Sequence, residues 1–172
     1  MSDWHKLDEP LTGGCQCGAV RYRVGVQPSN VHVCHCRMCQ KAVGGPFAVI
    51  CPVLKTDFAV TRGEIGWFHS SALARRGFCR DCGTPLIFDY PDFPDIGVLA
   101  GSFDQPDRVP PVVQYGIESR VHWWHGIEGL PGDQPTYAED PEGRLAEEFG
   151  ALDPQEEDPA RSLVPVAAFL KR

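Results

Sequence analysis

The stretch Cys34-His35-Cys36-Arg37-Met38-Cys39 places three thiols within six residues and is the strongest structural signal in the chain. Two further clusters have the same character: Cys15-Gln16-Cys17 lies before it, and Cys79-Arg80-Asp81-Cys82 lies after it. In a reducing compartment, closely spaced thiols are read as metal ligands or redox groups before they are read as disulfides. Three such clusters in 172 residues predict metal binding.

Glycines around these clusters favour the sharp turns that a metal site needs. Zinc in proteins takes four ligands in a tetrahedron, with sulfur at about 2.3 Å. Two cysteines separated by one or two residues reach the same ion only if the backbone turns tightly between them. Gly13, Gly14 and Gly18 flank the first pair, and Gly83 directly follows the third.

Seven clustered cysteines do not divide into two complete sets of four. The natural partition gives one closed site and one site with an open position; the closed set is Cys15, Cys17, Cys79 and Cys82, and the open set is Cys34, Cys36 and Cys39. A closed zinc site is structural, whereas an open position is typical of catalytic zinc. Spacing alone leaves other pairings of the clusters open, because they also satisfy the ligand number.

Two other interpretations of these residues stay open at this point. Cys36 and Cys39 form a Cys-x-x-Cys pair that suits redox chemistry, and the open site is also explained as a second structural zinc closed by His35, His32 or water. The eighth cysteine, Cys51, lies in an apolar stretch and is predicted to be a buried core residue.

Composition favours a β-rich domain. The chain has 18 glycines and 16 prolines but few helical patterns, which indicates short strands joined by turns. Predicted strands cover residues 19–24, 46–53, 58–61, 65–69, 85–89 and 96–100. One helical turn is predicted at residues 37–42, and a second helix is predicted from Asp140 to Gly150.

Three regions follow from this pattern: a loose lead-in at residues 1–12, a zinc domain at residues 13–132, and an acidic extension at residues 133–172. The formal net charge is -7, and residues 139–158 hold nine acidic residues against one basic residue. The absence of a basic face argues against a nucleic-acid partner. No apolar run approaches the roughly 18 residues of a membrane span, and the start does not resemble a signal peptide, so we expect a cytoplasmic protein.

The cysteine clusters and their neighbours resemble those of the glutathione-dependent formaldehyde-activating (Gfa) family, which includes the centromere protein V-like proteins. The matching stretches are Gly13-Gly-Cys-Gln-Cys-Gly-Ala-Val-Arg-Tyr22, Cys34-His-Cys-Arg-Met-Cys-Gln40 and Phe78-Cys-Arg-Asp-Cys-Gly83. Weaker matches follow in residues 97–104 and 129–131. The resemblance covers roughly residues 13–132.

The resemblance implies a β-tent fold of antiparallel sheets with two zinc ions per chain. It also implies the partition described above, with Cys34, Cys36 and Cys39 at the catalytic metal. The implied activity is the making and breaking of a carbon-sulfur bond, since the founding reaction condenses formaldehyde with glutathione to S-hydroxymethylglutathione. Glutathione is then the expected small-molecule partner.

Candidate substrate anchors are basic residues near the open site. Glutathione carries two carboxylates, so we expect Arg37 and Lys41 to bind it, with Arg21 and Arg23 as secondary candidates. The competing hypothesis is a non-catalytic two-zinc scaffold that holds a partner through the region of Trp123-Trp124 or through the C-terminal tail.

Overall fold

A computed structural model describes residues 4–131 of the chain, which form ten strands, one α-helix and five short 3-10 segments. The strands and the helix, in chain order, are β1 (Lys6–Gly14), β2 (Arg21–Val26), β3 (His32–Cys34), α1 (Arg37–Val43), β4 (Ala48–Leu54), β5 (Phe58–Arg62), β6 (Gly66–His69), β7 (Arg75–Phe78), β8 (Pro85–Asp89), β9 (Asp95–Leu99) and β10 (Val113–Tyr115). The 3-10 segments are Lys55–Asp57, Ala100–Ser102, Pro106–Arg108, Ile117–Ser119 and His122–Gly129. The prediction of a mostly β protein with little helix is confirmed for these residues.

Two sheets make up the fold. The smaller has the strand order β1-β2-β5, and the larger has the order β10-β3-β4-β9-β8-β7-β6. All pairings are antiparallel except that of β10 with β3, which is parallel. Strand β10 therefore covers the edge of β3, the strand that delivers the first cysteine of the central cluster.

The core lies where the two sheets pack together. On β2, Tyr22, Val24 and Val26 are buried at alternate positions, as expected for a strand with one face in the core. They pack in one cluster with residues of the larger sheet, including Val53 and Leu86. The eighth cysteine, Cys51, is fully buried in this cluster, in agreement with its prediction as a core residue.

The prediction of a loose lead-in at residues 1–12 is wrong from residue 6 onward. Strand β1 begins at Lys6 and pairs with β2, with Leu11 opposite Val24. Its charged residues and Pro10 hide the strand pattern, and the pairing register shifts between Lys6 and Leu11. An edge strand tolerates such residues because one side of it carries no ladder hydrogen bonds.

Three other strands were missed, and the predicted ones are placed to within two residues. Strands β3 and β10 have three residues each, and β7 begins with two arginines, so none shows an apolar alternation. The predicted helix from Asp140 to Gly150 and the acidic extension lie outside the described residues. Within residues 4–131, no helix combines the length and the apolar character that a membrane crossing demands.

A buried carboxylate ties the far end of β8 to its neighbours. Asp89 is 0% exposed, and its two oxygens lie 2.7 Å from Arg75 Nε and 2.9 Å from Lys55 Nζ. Lys55 Nζ also donates hydrogen bonds to the main-chain carbonyls of Tyr90, Pro91 and Phe93. A buried charge is tolerated only when paired in this way.

We predict that Asp89→Asn lowers the free energy of unfolding by about 2–3 kcal/mol, because it leaves two cations without their anion. Asp92→Asn is the control, since that carboxylate is exposed and should change stability by less than about 0.5 kcal/mol. Urea denaturation of both variants measures the difference. Equal stability of the two would show that the Asp89 pairs are not stabilising.

Candidate metal centres

The four-cysteine cluster brings together the end of β1 and the turn between β7 and β8. The Sγ atoms of Cys15, Cys17, Cys79 and Cys82 all lie within 4.8 Å of one another. Cys17 Sγ is 3.5 Å from Cys15 Sγ and 3.8 Å from Cys79 Sγ. A tetrahedral zinc with sulfur at about 2.3 Å requires sulfur-sulfur distances of about 3.8 Å. The cluster therefore fits a closed four-thiolate zinc site.

Backbone turns form this cluster in the way that its glycines predicted. Gly83 has a φ of 77°, in the left-handed region, and its N–H donates to the carbonyl of Cys79 at 2.9 Å. The N–H of Val20 donates to Cys15 Sγ at 3.2 Å. Main-chain donors directed at sulfur stabilise the thiolate form that a metal requires.

The surroundings of these thiols shift their pKa values in opposite directions. Burial raises the pKa of Cys17 to about 12, and burial also raises the pKa of Cys79. Burial acts to raise the pKa of Cys82 as well, but the hydrogen bonds with Thr84 and Cys17 together outweigh it and lower this pKa to about 6. Closing the site around a metal therefore releases protons from the thiols with raised pKa values.

The second cluster lies at the junction of β3 and α1 and holds three thiols. The Sγ atoms of Cys34, Cys36 and Cys39 lie within 4.8 Å of one another, and the first two are 3.5 Å apart. Cys36 is the N-cap residue of α1, and its Sγ accepts the N–H of Cys39 at 3.4 Å. The start of the helix therefore fixes two of the three sulfurs. The predicted partition of the seven cysteines agrees with this grouping.

No histidine among residues 4–131 joins either cluster, so the interpretation in which His35 or His32 closes the second site is wrong for these residues. His35 is instead 0% exposed. Its Nε2 lies 2.9 Å from Gln114 Oε1, and its ring packs against Phe47 and Trp124. His35 therefore anchors the ligand loop to the core.

Strand β10 and the turn after it support the same loop from the other side. The N–H of His35 donates to the carbonyl of Tyr115 at 2.9 Å. Gly116 has a φ of 67°, and a Cβ there would lie 2.9 Å from the main-chain nitrogen of Cys36. Gln40 Nε2 donates to the carbonyls of His35 and Ser119. The three-cysteine loop is thus held by hydrogen bonds and by close main-chain packing.

Arg76, on β7, is a site residue that the sequence analysis missed. Its guanidinium lies 3.5 Å from Cys39 Sγ and over the ring of Phe88, 5.0 Å from the ring centroid. Two hydrogen bonds, the larger effect coming from Cys34 and the smaller from Arg76, lower the pKa of Cys39 to about 5. The pKa of Cys34 is raised, because Cys39 shares its proton and because burial disfavours the thiolate. No spacing in the sequence connects Arg76 to Cys39, which lies 37 residues before it.

The basic residues predicted to anchor the glutathione carboxylates differ in where they lie. Lys41 lines a cavity of about 390 Å³ that Arg76 also lines, whereas Arg37 donates a hydrogen bond to Gln40 Oε1 on its own helix. Arg21 is bound by Asp104 through both of its terminal nitrogens, which removes it as a free anchor. Arg23 is exposed on β2.

Comparison with known families agrees with the geometry of the two clusters. The sequence profile of the family described as "Glutathione-dependent formaldehyde-activating enzyme" matches residues 10–119 of the chain. The chain belongs to this family. The resemblance of its three cysteine clusters to that family is therefore confirmed.

Two relatives illustrate how far the similarity within the Gfa family extends. A Halomonas elongata protein, provisionally named a glutathione-dependent formaldehyde-activating enzyme, is 31% identical over 150 residues, which cover 80% of this chain and 92% of that protein. An uncharacterized lyase of Schizosaccharomyces pombe is 31% identical over 78 residues, which cover 45% of this chain. The chain spans 56% of the length of that yeast protein.

A solved structure supports the fold. The crystal structure of a Rhodobacter sphaeroides protein superposes with a TM-score of 0.50 at 24% sequence identity, covering 60% of this chain and 98% of that one. Together with the donor sets, the fold accommodates metal ions at both clusters. All eight cysteines are free, and soft thiolate donors at these spacings are consistent with zinc.

Removing a ligand from each cluster should have different consequences. We predict that Cys79→Ser loses one zinc and much of the cooperative unfolding transition, because a structural zinc contributes folding energy directly. Cys36→Ser should lose the other zinc and remain folded. Cys51→Ala, which alters a buried cysteine outside both clusters, should keep both ions.

Elemental analysis and thermal unfolding of the three variants test this difference. Retention of the native zinc content in Cys79→Ser would contradict the four-cysteine site.

Zinc affinity at the second cluster should rise with pH. In the metal-free protein Cys39 is already a thiolate at neutral pH, whereas Cys34 has a raised pKa and still carries its proton. Binding therefore displaces a proton, and affinity should rise about tenfold per pH unit for each proton released. Competition with a zinc chelator at pH 6, 7 and 8 measures it in the native protein, where the second site is identified as the ion that Cys36→Ser lacks. A flat profile would show that all three thiols are ionised before binding.

Proposed function

We propose that the protein is a zinc-dependent lyase that makes and breaks the carbon-sulfur bond between glutathione and formaldehyde. The observation that carries this proposal is the cluster of three cysteines for which residues 4–131 supply no fourth ligand, beside a complete set of four. Family membership and the yeast relative's name as a lyase support the reaction class, and the names of the family and of the Halomonas elongata relative point to glutathione and formaldehyde.

The two clusters have separate roles in this proposal. One zinc would be held by Cys15, Cys17, Cys79 and Cys82 and would be structural. The other would be held by Cys34, Cys36 and Cys39, the proposed catalytic set. When bound there, zinc supplies one free position suited to a soft thiolate donor such as that of glutathione.

Arg76 adjusts the charge of the second site. Three thiolates around a divalent ion carry a net charge of -1, and the guanidinium of Arg76 at 3.5 Å from Cys39 Sγ offsets it. This compensation favours the approach of an additional anionic sulfur. Stacking over Phe88 keeps the guanidinium in place, so the charge is available without rearrangement.

The chain's other residues position the substrate and the loop. Lys41 is the favoured anchor for a glutathione carboxylate, since it lines the cavity next to Arg76. Arg37 is a second anchor and would have to leave Gln40 to serve. The buried contacts of His35 with Phe47 and Trp124 exclude water from the inner side of the loop.

The reaction itself involves no net oxidation or reduction. The glutathione sulfur attacks the carbonyl carbon of formaldehyde, a carbon-sulfur bond forms, and the carbonyl electron pair moves to oxygen, which takes up the proton lost by the thiol. The reverse step breaks the same bond. The thiol-rich sites require a reducing environment, so a cytoplasmic location is part of the proposal.

A non-catalytic scaffold is the second candidate. Trp123 is 59% exposed, and Ile117 and Leu130 nearby are exposed as well, which provides apolar surface for a partner. The other tryptophan of the proposed region, Trp124, packs against His35 and Phe47 instead. A scaffold should show no response of the second site to thiols.

We predict that the zinc-loaded protein accelerates exchange between formaldehyde and S-hydroxymethylglutathione above the unaided rate, as measured by NMR exchange spectroscopy. In Cys36→Ser the acceleration should be at least about tenfold smaller, because the substitution removes a ligand of the open site while the closed site still holds the fold. Cys51→Ala is the matched control. Exchange at the unaided rate in the native protein would favour the scaffold.

A further inference from the structure

A cavity of about 390 Å³ lies beside the three-cysteine cluster, between α1 and the strands β6, β7 and β8. Its volume is in the range of small-molecule sites. The residues that line it are Met38, Lys41, Ala42, Val43, Phe68, Ser70, Arg76, Gly77, Phe78, Gly83, Pro85, Ile87 and Leu99. The formaldehyde carbon alone would leave nearly all of this space unfilled.

The lining connects directly to the cluster. Arg76 contributes both to the cavity wall and to the hydrogen bond with Cys39 Sγ. Two other wall residues, Val43 and Leu99, pack in the same apolar group as Cys39. The cavity is therefore adjacent to Cys39, and a molecule bound at the cluster has this space within its reach.

The chemistry of the wall is apolar on most sides and cationic at two points. The polar side chains are Lys41, Ser70 and Arg76, and the lining includes no carboxylate. Glutathione carries an ammonium group and peptide N–H groups, which would lose hydrogen-bond partners in such a space. The cavity suits an apolar group better than it suits the glutathione peptide.

The two cations differ in how their charge is satisfied. Arg76 is directed at the sulfur of Cys39. Lys41, in contrast, has no hydrogen-bond or ion-pair partner within the part of the chain that the structure describes. Lys41 is exposed, and an ammonium without a protein partner at the edge of an apolar cavity favours a ligand with an anionic end.

We propose that this cavity binds the carbon side of the thiol adduct, and that this side is an apolar chain or ring ending in a carboxylate. With such an aldehyde, Lys41 pairs with that carboxylate, and Arg37 is left as the anchor for glutathione. The inference rests on the proposed function and names a larger aldehyde as a substrate class. The thiolate of glutathione attacks the aldehyde carbon, the carbon-sulfur bond forms, and the former carbonyl oxygen takes the proton; the reverse step releases the aldehyde.

The test measures binding of two unreactive probes to the full zinc-loaded chain. The probes are 4-methylbenzoate and its neutral analogue 4-methylbenzamide, and binding is followed by ligand-observed NMR titration. The benzoate should bind about fivefold more tightly than the amide, because a partly exposed ion pair contributes up to about that factor.

Two variants change the cavity, and two matched variants change comparable positions elsewhere. Phe68→Ala should weaken both probes about fivefold, because it removes one apolar wall. Phe93→Ala is its control, since Phe93 is 59% exposed against 61% for Phe68 and does not line the cavity. Lys41→Gln should reduce benzoate binding to the level of the amide, whereas Arg108→Gln, at an exposed site outside the cavity, should not.

Three results would overturn the inference: neither probe binds at millimolar concentration, Phe68→Ala and Lys41→Gln leave binding unchanged, or Phe68→Ala weakens binding of glutathione itself. Exchange assays with formaldehyde and with 4-formylbenzoate separate this inference from the proposed function. Acceleration with formaldehyde but not with 4-formylbenzoate would overturn the inference alone. No acceleration with either aldehyde would overturn the proposed function, and the probe titrations would still decide whether the cavity takes such a group.

Discussion

The four-cysteine cluster is the constraint on which the arrangement of the rest depends, because it joins the two sheets at one end of the core. Cys15 and Cys17 continue from β1 of the smaller sheet, and Cys79 and Cys82 lie between β7 and β8 of the larger one. A metal held there would add one strong, short link between the sheets to the packing of the core. The same β7 then carries Arg76 to the second cluster, so the structural link also positions part of the candidate active site.

The second cluster combines a rigid frame with an electrostatic environment that favours thiolate. Strand β10, Gln40 and the buried ring of His35 fix the loop between Cys34 and Cys36, which carries two of the three sulfurs of the cluster. Arg76 supplies the positive charge that offsets three thiolates. One small domain therefore holds a group of four thiols and a group of three, and this difference in ligand count is what the proposed structural and open sites rest on.

The sequence was most informative where the chemistry is local. Ligand spacing and flanking glycines predicted both cysteine groups and the left-handed turn at Gly83, since these depend on a few adjacent residues. It failed for β1, whose pairing with β2 overrides a charged, proline-containing sequence, and for Arg76, which reaches Cys39 only through the order of strands in the sheet. The ligand role considered for His35 failed for the same reason, because its ring packs against Phe47 and Trp124, which are distant in sequence. Long-range packing has no signature in a single sequence.

The most direct test of the two-site arrangement is anomalous diffraction at the zinc edge from crystals grown with and without glutathione. The arrangement predicts two peaks, one within bonding distance of four cysteine sulfurs and one bound by Cys34, Cys36 and Cys39 with a fourth ligand from solvent. In the crystals with glutathione, that fourth ligand should be its sulfur. A single peak, or a second peak whose fourth ligand comes from the protein itself, would contradict an open site and with it the catalytic role.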